Sequence, residues 1–152
     1  MYNYEQKLVG KKVLRIYMNE DFLKFETDNG NVVFWVDGDC CSSSVFYDFY
    51  GVKKLLNNGS ITEVKEVELT TDDKKLNRLD KENSDDSIAC YGFQITTEDK
   101  ELGLVTSVFS FRNYSNGYYG GSLEEASDDK IVLPEITDDV YETVEDISRS
   151  KE

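Results

Sequence analysis

The first part of the chain alternates apolar and polar residues in short runs separated by turns. The alternating apolar positions are Leu14, Ile16, Met18, Leu23 and Phe25. The dipeptide Asn29-Gly30 follows, and it favours the positive φ angles of a tight hairpin turn. Residues 32–36 are then rich in β-branched and aromatic side chains. This pattern predicts a three-stranded antiparallel meander with Leu14, Ile16 and Met18 on one face.

A different period follows the meander. Val45, Phe49, Val52 and Leu56 are spaced by four, three and four residues, which predicts one apolar stripe of a helix. Ser42, Ser43 and Ser44 precede the stripe as candidate N-cap residues, and Gly59 follows as a stop signal. We therefore expect a short amphipathic helix that packs on the sheet.

The remaining runs predict further strands. Residues 61–69 place apolar side chains at every third position, which we interpret as a strand with a β-bulge. Residues 70–86 are mostly charged and predict a loop or an exposed helix. Residues 88–97 and 104–112 alternate again, and the turn Ser115-Asn116-Gly117 predicts a second hairpin with residues 118–123.

These elements predict an α+β fold: a mainly antiparallel sheet of six or seven strands, with one helix packed on a face. We place the α+β domain at residues 1–123 and an acidic C-terminal arm at residues 124–152. Ile136, Val140, Val144 and Ile147 fall at helical spacing within the arm, which indicates an amphipathic helix there.

Charge narrows the classes of partner. The chain has 31 acidic and 17 basic residues, a net charge of -14, and no histidine. Residues 123–152 contain eleven acidic and three basic residues and thus carry -8. Such a surface repels nucleic-acid phosphates and anionic membranes and attracts basic proteins. The lack of histidine excludes Ser-His and Cys-His nucleophile pairs and imidazole metal sites.

The location is expected to be the cytoplasm. No run approaches the roughly 20 apolar residues of a membrane-spanning helix, and residues 1–10 lack the pattern of a secretory signal. The cysteines are Cys40, Cys41 and Cys90, an odd number that includes a vicinal pair. Reduced thiols in a reducing compartment are therefore expected.

One segment combines carboxylates and thiols. Residues 37–44 read Asp-Gly-Asp-Cys-Cys-Ser-Ser-Ser, and they are predicted to join a strand to a helix N-terminus. Asp37 and Asp39 could bind a cation there, and Cys41 could form a reactive thiolate. The alternative is a turn with a helix cap, in which Cys40 or Cys41 is a small buried side chain. We favour that alternative, and we expect no metal and no cofactor.

The tyrosine-rich residues 113–121 and the acidic arm are the candidate partner-binding surfaces. Tyrosines beside mobile glycines provide contact area at low entropy cost, and an acidic arm attracts a basic partner. Ordinary strand tyrosines and a merely solubilising tail are the alternatives. The predicted partner-binding residues are Tyr114, Asn116, Tyr118, Tyr119, Asp128, Asp129, Asp138, Asp139, Glu142 and Glu145.

Four short segments carry a family resemblance. They are Gly10-Lys11-Lys12-Val13, Thr27-Asp28-Asn29-Gly30, Asp39-Cys40-Cys41-Ser42 and Ser115-Asn116-Gly117-Tyr118-Tyr119. In this order they resemble a family of small uncharacterised proteins encoded by bacteriophages and related mobile elements. The resemblance covers about positions 8–123 and implies a phage setting, without an activity or any functional residue.

The sequence therefore favours a non-enzymatic phage protein. We expect it to bind and inhibit a basic, nucleic-acid-handling host defence protein, such as a CRISPR effector, by presenting phosphate-like carboxylates. One alternative is a small enzyme or ligand-binding domain that uses Asp37, Asp39, Cys40 and Cys41. Another is a phage structural or assembly protein.

Overall fold

The structure of the protein is a computed structural model that describes residues 3–38, 43–69, 87–115, 121–128 and 130–140. Along these residues a 3-10 helix, nine strands and one α-helix follow one another. The elements are the 3-10 helix Tyr4–Leu8, β1 Val13–Met18, β2 Phe22–Thr27, β3 Gly30–Gly38, β4 Ser43–Tyr50, α1 Val52–Asn57, β5 Ile61–Leu69, β6 Ser87–Asp99, β7 Gly103–Ser115, β8 Gly121–Glu125 and β9 Glu135–Ile136.

The strands form two antiparallel sheets. One has five strands in the order β8-β3-β2-β1-β9, and the other has four in the order β4-β7-β6-β5. The mainly antiparallel architecture with a single α-helix among the described residues is thus confirmed. The prediction of one sheet with six or seven strands is wrong, because the described strands divide between two sheets.

A cluster of phenylalanine rings joins the two sheets. Phe25 of β2 lies 6.0 Å from Phe49 of β4 and 6.1 Å from Phe109 of β7, between ring centroids. On its own sheet Phe25 meets Phe34 edge-on at 6.0 Å. All four rings are fully buried. Aromatic pairs at such distances add to the burial of their area, so the cluster forms the centre of a β-sandwich.

The meander of β1, β2 and β3 is as predicted, and Leu23 and Phe25 are buried. Its turn uses Gly30, whose φ of +92° lies in the left-handed region that glycine tolerates. The face assigned to Leu14 is wrong, since 47% of that residue is exposed.

Three β-bulges explain the positions where the apolar period departs from two. The register shifts between Val13 and Arg15 in β1, between Phe46 and Asp48 in β4, and between Ile61 and Glu63 in β5. Each shift adds one residue, so the next core position comes three residues after the last instead of two. Val13 and Ile16 are both fully buried for this reason. The bulge predicted in β5 is confirmed.

The bulge in β4 also corrects the predicted helix. Phe46 and Phe49 are both buried, and their spacing of three resembles a helical turn although residues 43–50 are a strand. Only the second half of the predicted helix forms, as the six residues of α1.

The α-helix begins without a serine cap. Gly51 precedes it with a φ of +80°, and a side chain there would meet Ser107 Oγ at 2.8 Å. The backbone N–H groups of Gly51 and Val52 instead donate to Asp139 Oδ1, at 2.9 and 3.0 Å. A carboxylate from the C-terminal segment therefore caps α1.

The prediction that residues 118–123 form a hairpin with the preceding strand is also wrong. β8 follows β7 in the chain but pairs with β3, as in the pair Val36 and Leu123. β7 pairs with β4 and β6 instead. The chain therefore passes from one sheet to the other between β7 and β8.

The described part of the predicted acidic arm lies against the sandwich. β8 and β9 occupy opposite edges of their sheet, so residues 126–134 must cross it. They cross its outer face, since the ammonium of Lys24 donates to the Ile131 carbonyl at 3.1 Å and Val33, an outward position, is only 1% exposed. Residue 129 in this crossing segment lies outside the described residues.

After the crossing segment the chain reaches the second sheet. Ile136 of β9 pairs with Ile16 of β1, and Val140 exchanges two backbone hydrogen bonds with Phe49 of β4, at 2.8 and 2.9 Å. Ile136 and Val140 are buried, and both form β-pairings instead of a helix. The helix predicted from Ile136, Val140, Val144 and Ile147 is therefore wrong for its first two positions. Val144 and Ile147 lie outside the described residues, and the domain boundary at residue 123 stays a prediction.

The Asp139 cap gives a stability test. Replacing Asp139 with alanine leaves the Gly51 and Val52 N–H groups without their acceptor, so we expect the free energy of unfolding to fall by about 0.5–2 kcal/mol in urea titrations. Asp139→Asn keeps the oxygen and should lose less. The variant Glu135→Ala is the control, because that carboxylate is exposed and has no hydrogen bond or ion pair within the described residues. An equal loss in both alanine variants would contradict the assignment of the cap.

Candidate partner-binding site

Both sequence-predicted site segments are attached to one end of the sandwich. Gly38 pairs with Gly121, and Ser43 pairs with Tyr114. Ser87 pairs with Ser115 at the same end. The segments that leave these strand ends therefore start close together in space. We use the name loop end for these paired residues together with the adjacent cavity, described below, whose lining includes Ser122 next to Gly121.

Most predicted residues of these segments lie outside the description. They are Asp39, Cys40, Cys41, Asn116, Tyr118 and Tyr119. Asp37 lies in β3, and the backbone of Tyr114 lies in β7. The segment after Gly38 leads to a strand, not to a helix N-terminus as predicted. The proposed effect of a helix dipole on anions or thiols at Cys41 is therefore wrong.

The 3-10 helix brings a carboxylate to the loop end. Residues three apart eclipse one another in a 3-10 helix, so Glu5 and Leu8 lie on the same side. Leu8 is fully buried in the core, and Glu5 is therefore turned inward with only 9% of its surface exposed. Gln6 fixes the helix on β5 by donating to the Val64 carbonyl at 2.7 Å, and Lys7 pairs with Glu125 of β8 at 2.5 Å.

A cavity of about 400 Å³ opens beside Glu5. Its floor is aromatic: Tyr91 stacks on Phe111 with centroids 4.8 Å apart and planes 17° apart, and Phe93 lies 6.3 Å from Phe111. Tyr91 is half-buried, whereas Phe93 and Phe111 are at most 6% exposed. The cavity thus reaches the edge of the sandwich core, where Tyr91 is the most exposed of these three rings.

The polar lining of the cavity is acidic. Glu5 from the 3-10 helix, Glu66 from β5 and Glu124 from β8 all line it, and the described lining includes no lysine or arginine. Glu66 is exposed, and Glu124 accepts the hydroxyl of Ser122 at 3.1 Å. Within the described residues the Glu5 side chain has no hydrogen bond or ion pair. This lining favours cations over anions.

Sequence reasoning missed this site because its residues come from five separate elements. Glu5 was the only one with a local signal, the spacing Glu5-x-x-Leu8 after a short polar N-terminus. Glu66 and Glu124 are unremarkable strand residues in the sequence. Their proximity follows from the pairing of β8 with β3, which the sequence did not predict.

A second feature that the sequence did not indicate is a buried polar cluster in the four-stranded sheet. Arg112 is fully buried, its guanidinium carbon lies 3.7 Å from the centroid of the Tyr47 ring, and it donates to the Cys90 thiol. Nearby, the Ser110 hydroxyl donates to the buried Asp48 carboxylate. These contacts join buried side chains within one sheet, and we interpret the cluster as structural.

The predicted arm residues are only partly described. Asp128 is exposed and accepts the backbone N–H of Lys130 at 3.0 Å, and Asp138 is exposed and lies 3.5 Å from Lys53. Asp139 is half-buried and caps α1. Asp129, Glu142 and Glu145 lie outside the described residues.

The described residues contain neither a candidate metal site nor a helix that could span a membrane. No group of three or more histidine, cysteine, aspartate or glutamate side chains in this part of the chain could hold a metal ion. In the same part of the chain, no helix has the length and apolar character needed to cross a membrane.

Comparison with known proteins gives one match. The family model described as "Domain of unknown function (DUF7448)" matches residues 6–124. These residues include the meander and most of the cavity lining, but not its lining residues Asn3, Tyr4 and Glu5. No curated protein and no solved structure matches the chain. The match does not bear on the predicted phage origin.

Asp138 gives a test of local electrostatics. Its pKa is lowered from the ordinary value, first by the hydrogen bond from the Asp139 N–H and then by the charge of Lys53. In NMR titrations we expect Lys53→Met to raise the Asp138 pKa only part of the way back, since the backbone donor remains. Lys54→Met is the matched control and should leave the pKa unchanged. A full return to the ordinary value after Lys53→Met would contradict this order of causes.

Proposed function

The chain belongs to the family described as "Domain of unknown function (DUF7448)", and we propose that it is a non-enzymatic protein that captures a basic, nucleic-acid-handling partner. The loop end is the proposed contact surface. The partner we propose is a host defence protein such as a CRISPR effector, and the setting is that of a bacteriophage protein in the host cytoplasm.

The observation that carries this proposal is the combination of a net charge of -14 with carboxylates around an aromatic opening. Surface charge of one sign steers an oppositely charged partner and raises the association rate. Aromatic side chains supply the desolvated contact area that most strongly determines interface affinity. Both properties meet at the loop end.

Nucleic-acid mimicry follows from the same chemistry. A protein that binds DNA or RNA presents lysine and arginine to phosphates, and these side chains also pair with carboxylates. Glu66 and Glu124 of the loop end can take the place of phosphates in such a groove. The remaining proposed contacts are the tyrosine segment with Tyr114, Asn116, Tyr118 and Tyr119, and the acidic residues Asp128, Asp129, Asp138, Asp139, Glu142 and Glu145.

Charge substitution tests the proposal more cleanly than truncation. Deleting the chain from residue 126 would remove β9 and the Val140 hydrogen bonds along with the charge. The variant Glu66→Gln/Glu124→Gln removes two charges at the loop end only. Its control is Glu98→Gln/Glu101→Gln, which removes two exposed charges at the β6–β7 turn, at the opposite end of the sandwich.

We expect the immobilised protein to retain a basic protein from a bacterial lysate, and duplex DNA or RNA should displace that protein. Retention should weaken between low salt and 0.15 M salt, as the Debye length falls to about 8 Å. The loop-end variant should retain several-fold less partner than the control variant, because only the former changes the contact surface.

Two results would count against the proposal. A partner retained equally at all salt concentrations and not displaced by nucleic acid contradicts mimicry. Equal retention by the loop-end and control variants shows that the surface lies elsewhere. Self-association without any retained partner would favour an assembly protein instead.

A further inference from the structure

We propose that the cavity at the loop end binds the ammonium or guanidinium head of an organic cation, with Glu5 as the counter-ion and the Tyr91–Phe111 stack against the alkyl stem. The cation is either a lysine or arginine side chain of a partner or a free alkyl amine. Only the first source rests on the proposed function. The preference for an organic cation follows from the lining of the cavity and does not require a protein partner.

The state of Glu5 is the first argument. A carboxylate in a largely enclosed site keeps only part of its hydration, so a cation that reaches it replaces the lost water contacts. Glu5 is in this position within the described residues, with 9% exposure and a place in the cavity lining. Leu8 holds it there, because the two residues share a side of the 3-10 helix and Leu8 is anchored in the core. A bound cation supplies the missing partner.

The aromatic floor is the second argument. Cations lie favourably over the faces of aromatic rings, and methylene groups of a stem bury their surface against the same rings. Tyr91 presents a half-buried ring to the cavity, and Phe111 stacks on it with planes 17° apart. An inorganic cation has no stem to bury against this floor, which is why we assign an organic ion with an apolar stem.

The dimensions and charge agree with this assignment. Pockets for small molecules usually have volumes of about 300–1,000 Å³, and the cavity of about 400 Å³ is at the lower end. Glu66 and Glu124 at its rim add negative charge that opposes entry of an anion. The rim carboxylates can also meet a second positive group outside the cavity.

The test uses n-butylammonium chloride as the probe and follows backbone NMR shifts at constant ionic strength. We expect saturable shifts for cavity residues, with weaker binding of n-butanol, which has the same stem and no charge. Glu5→Gln should reduce the affinity about tenfold or more, since hydrogen bonds to a charged group are worth about 1.5–3 kcal/mol. Glu98→Gln, at the opposite end, should leave the affinity unchanged.

Substitutions at Tyr91 separate ring electrostatics from burial. Tyr91→Phe keeps the ring and should retain binding, whereas Tyr91→Leu keeps an apolar surface and should bind several-fold more weakly. Thermal melts check that each variant is folded. If Glu5→Gln does not fold, the contrast between n-butylammonium and n-butanol, with the two Tyr91 variants, still decides. Absence of saturable shifts, or equal binding of the alcohol, overturns the inference.

A second pair of probes distinguishes the two sources. Cadaverine should bind about tenfold more tightly than Nα-acetyl-lysine amide if the site serves a free diamine, because Glu66 and Glu124 can meet its second ammonium. Similar affinities point to a partner side chain. Binding of n-butylammonium without any partner in the lysate experiment would support this inference while contradicting the proposed function. Partner capture by the wild-type protein without saturable binding of n-butylammonium gives the reverse result: it supports the proposed function and contradicts this inference.

Discussion

The packing of Phe25 against Phe49 and Phe109 is the contact on which the other features depend. These rings come from different sheets and are fully buried, so they set how the sheets face one another. The aromatic rows continue along the four-stranded sheet from Phe109 to Phe93, Phe111 and Tyr91. Tyr91, the half-buried ring of this row, borders the cavity together with Leu123 of the five-stranded sheet. The candidate site is thus an opening in the core, not an addition to the surface.

The sequence predicted features that arise from local pattern. The meander and the long strands β6 and β7 follow from alternation, and the bulge in β5 follows from its period of three. The error over residues 43–50 has a different origin, because the predicted stripe placed Val45 four residues before Phe49, a spacing typical of a helix. In the structure the bulge lets Phe46 and Phe49 both face the core, and pairing with β7 makes the segment a strand.

Pairing between distant strands could not be predicted in the same way. The dipeptide Asn116-Gly117 indicates a turn, but which strand receives β8 depends on the free edge of β3. Glu5 and Glu124 become neighbours of the same cavity only through that pairing. Composition predicted the sign of the partner charge, and the location of the site required tertiary contacts.

The acidic C-terminal segment combines negative charge with structural contacts. A net charge of -14 destabilises a compact state by self-repulsion, yet Asp139 uses its charge to cap α1 and Asp138 lies beside Lys53. The ammonium of Lys24 donates to the Ile131 carbonyl and so holds the crossing segment on the sheet. The carboxylates of Asp138 and Asp139 are offset locally by backbone N–H groups and by the ammonium of Lys53.

The position of residues 130–140 in the chain has a consequence for how the protein folds during synthesis. Ribosomes release a chain from its N-terminus at about 5–20 residues per second, so this segment is the last described part to emerge. Until then the β1 edge lacks β9 and the Phe49 backbone lacks Val140. Unpaired strand edges recruit other chains. The nascent sandwich therefore passes through an interval in which two of its strand edges are open to pairing with other chains.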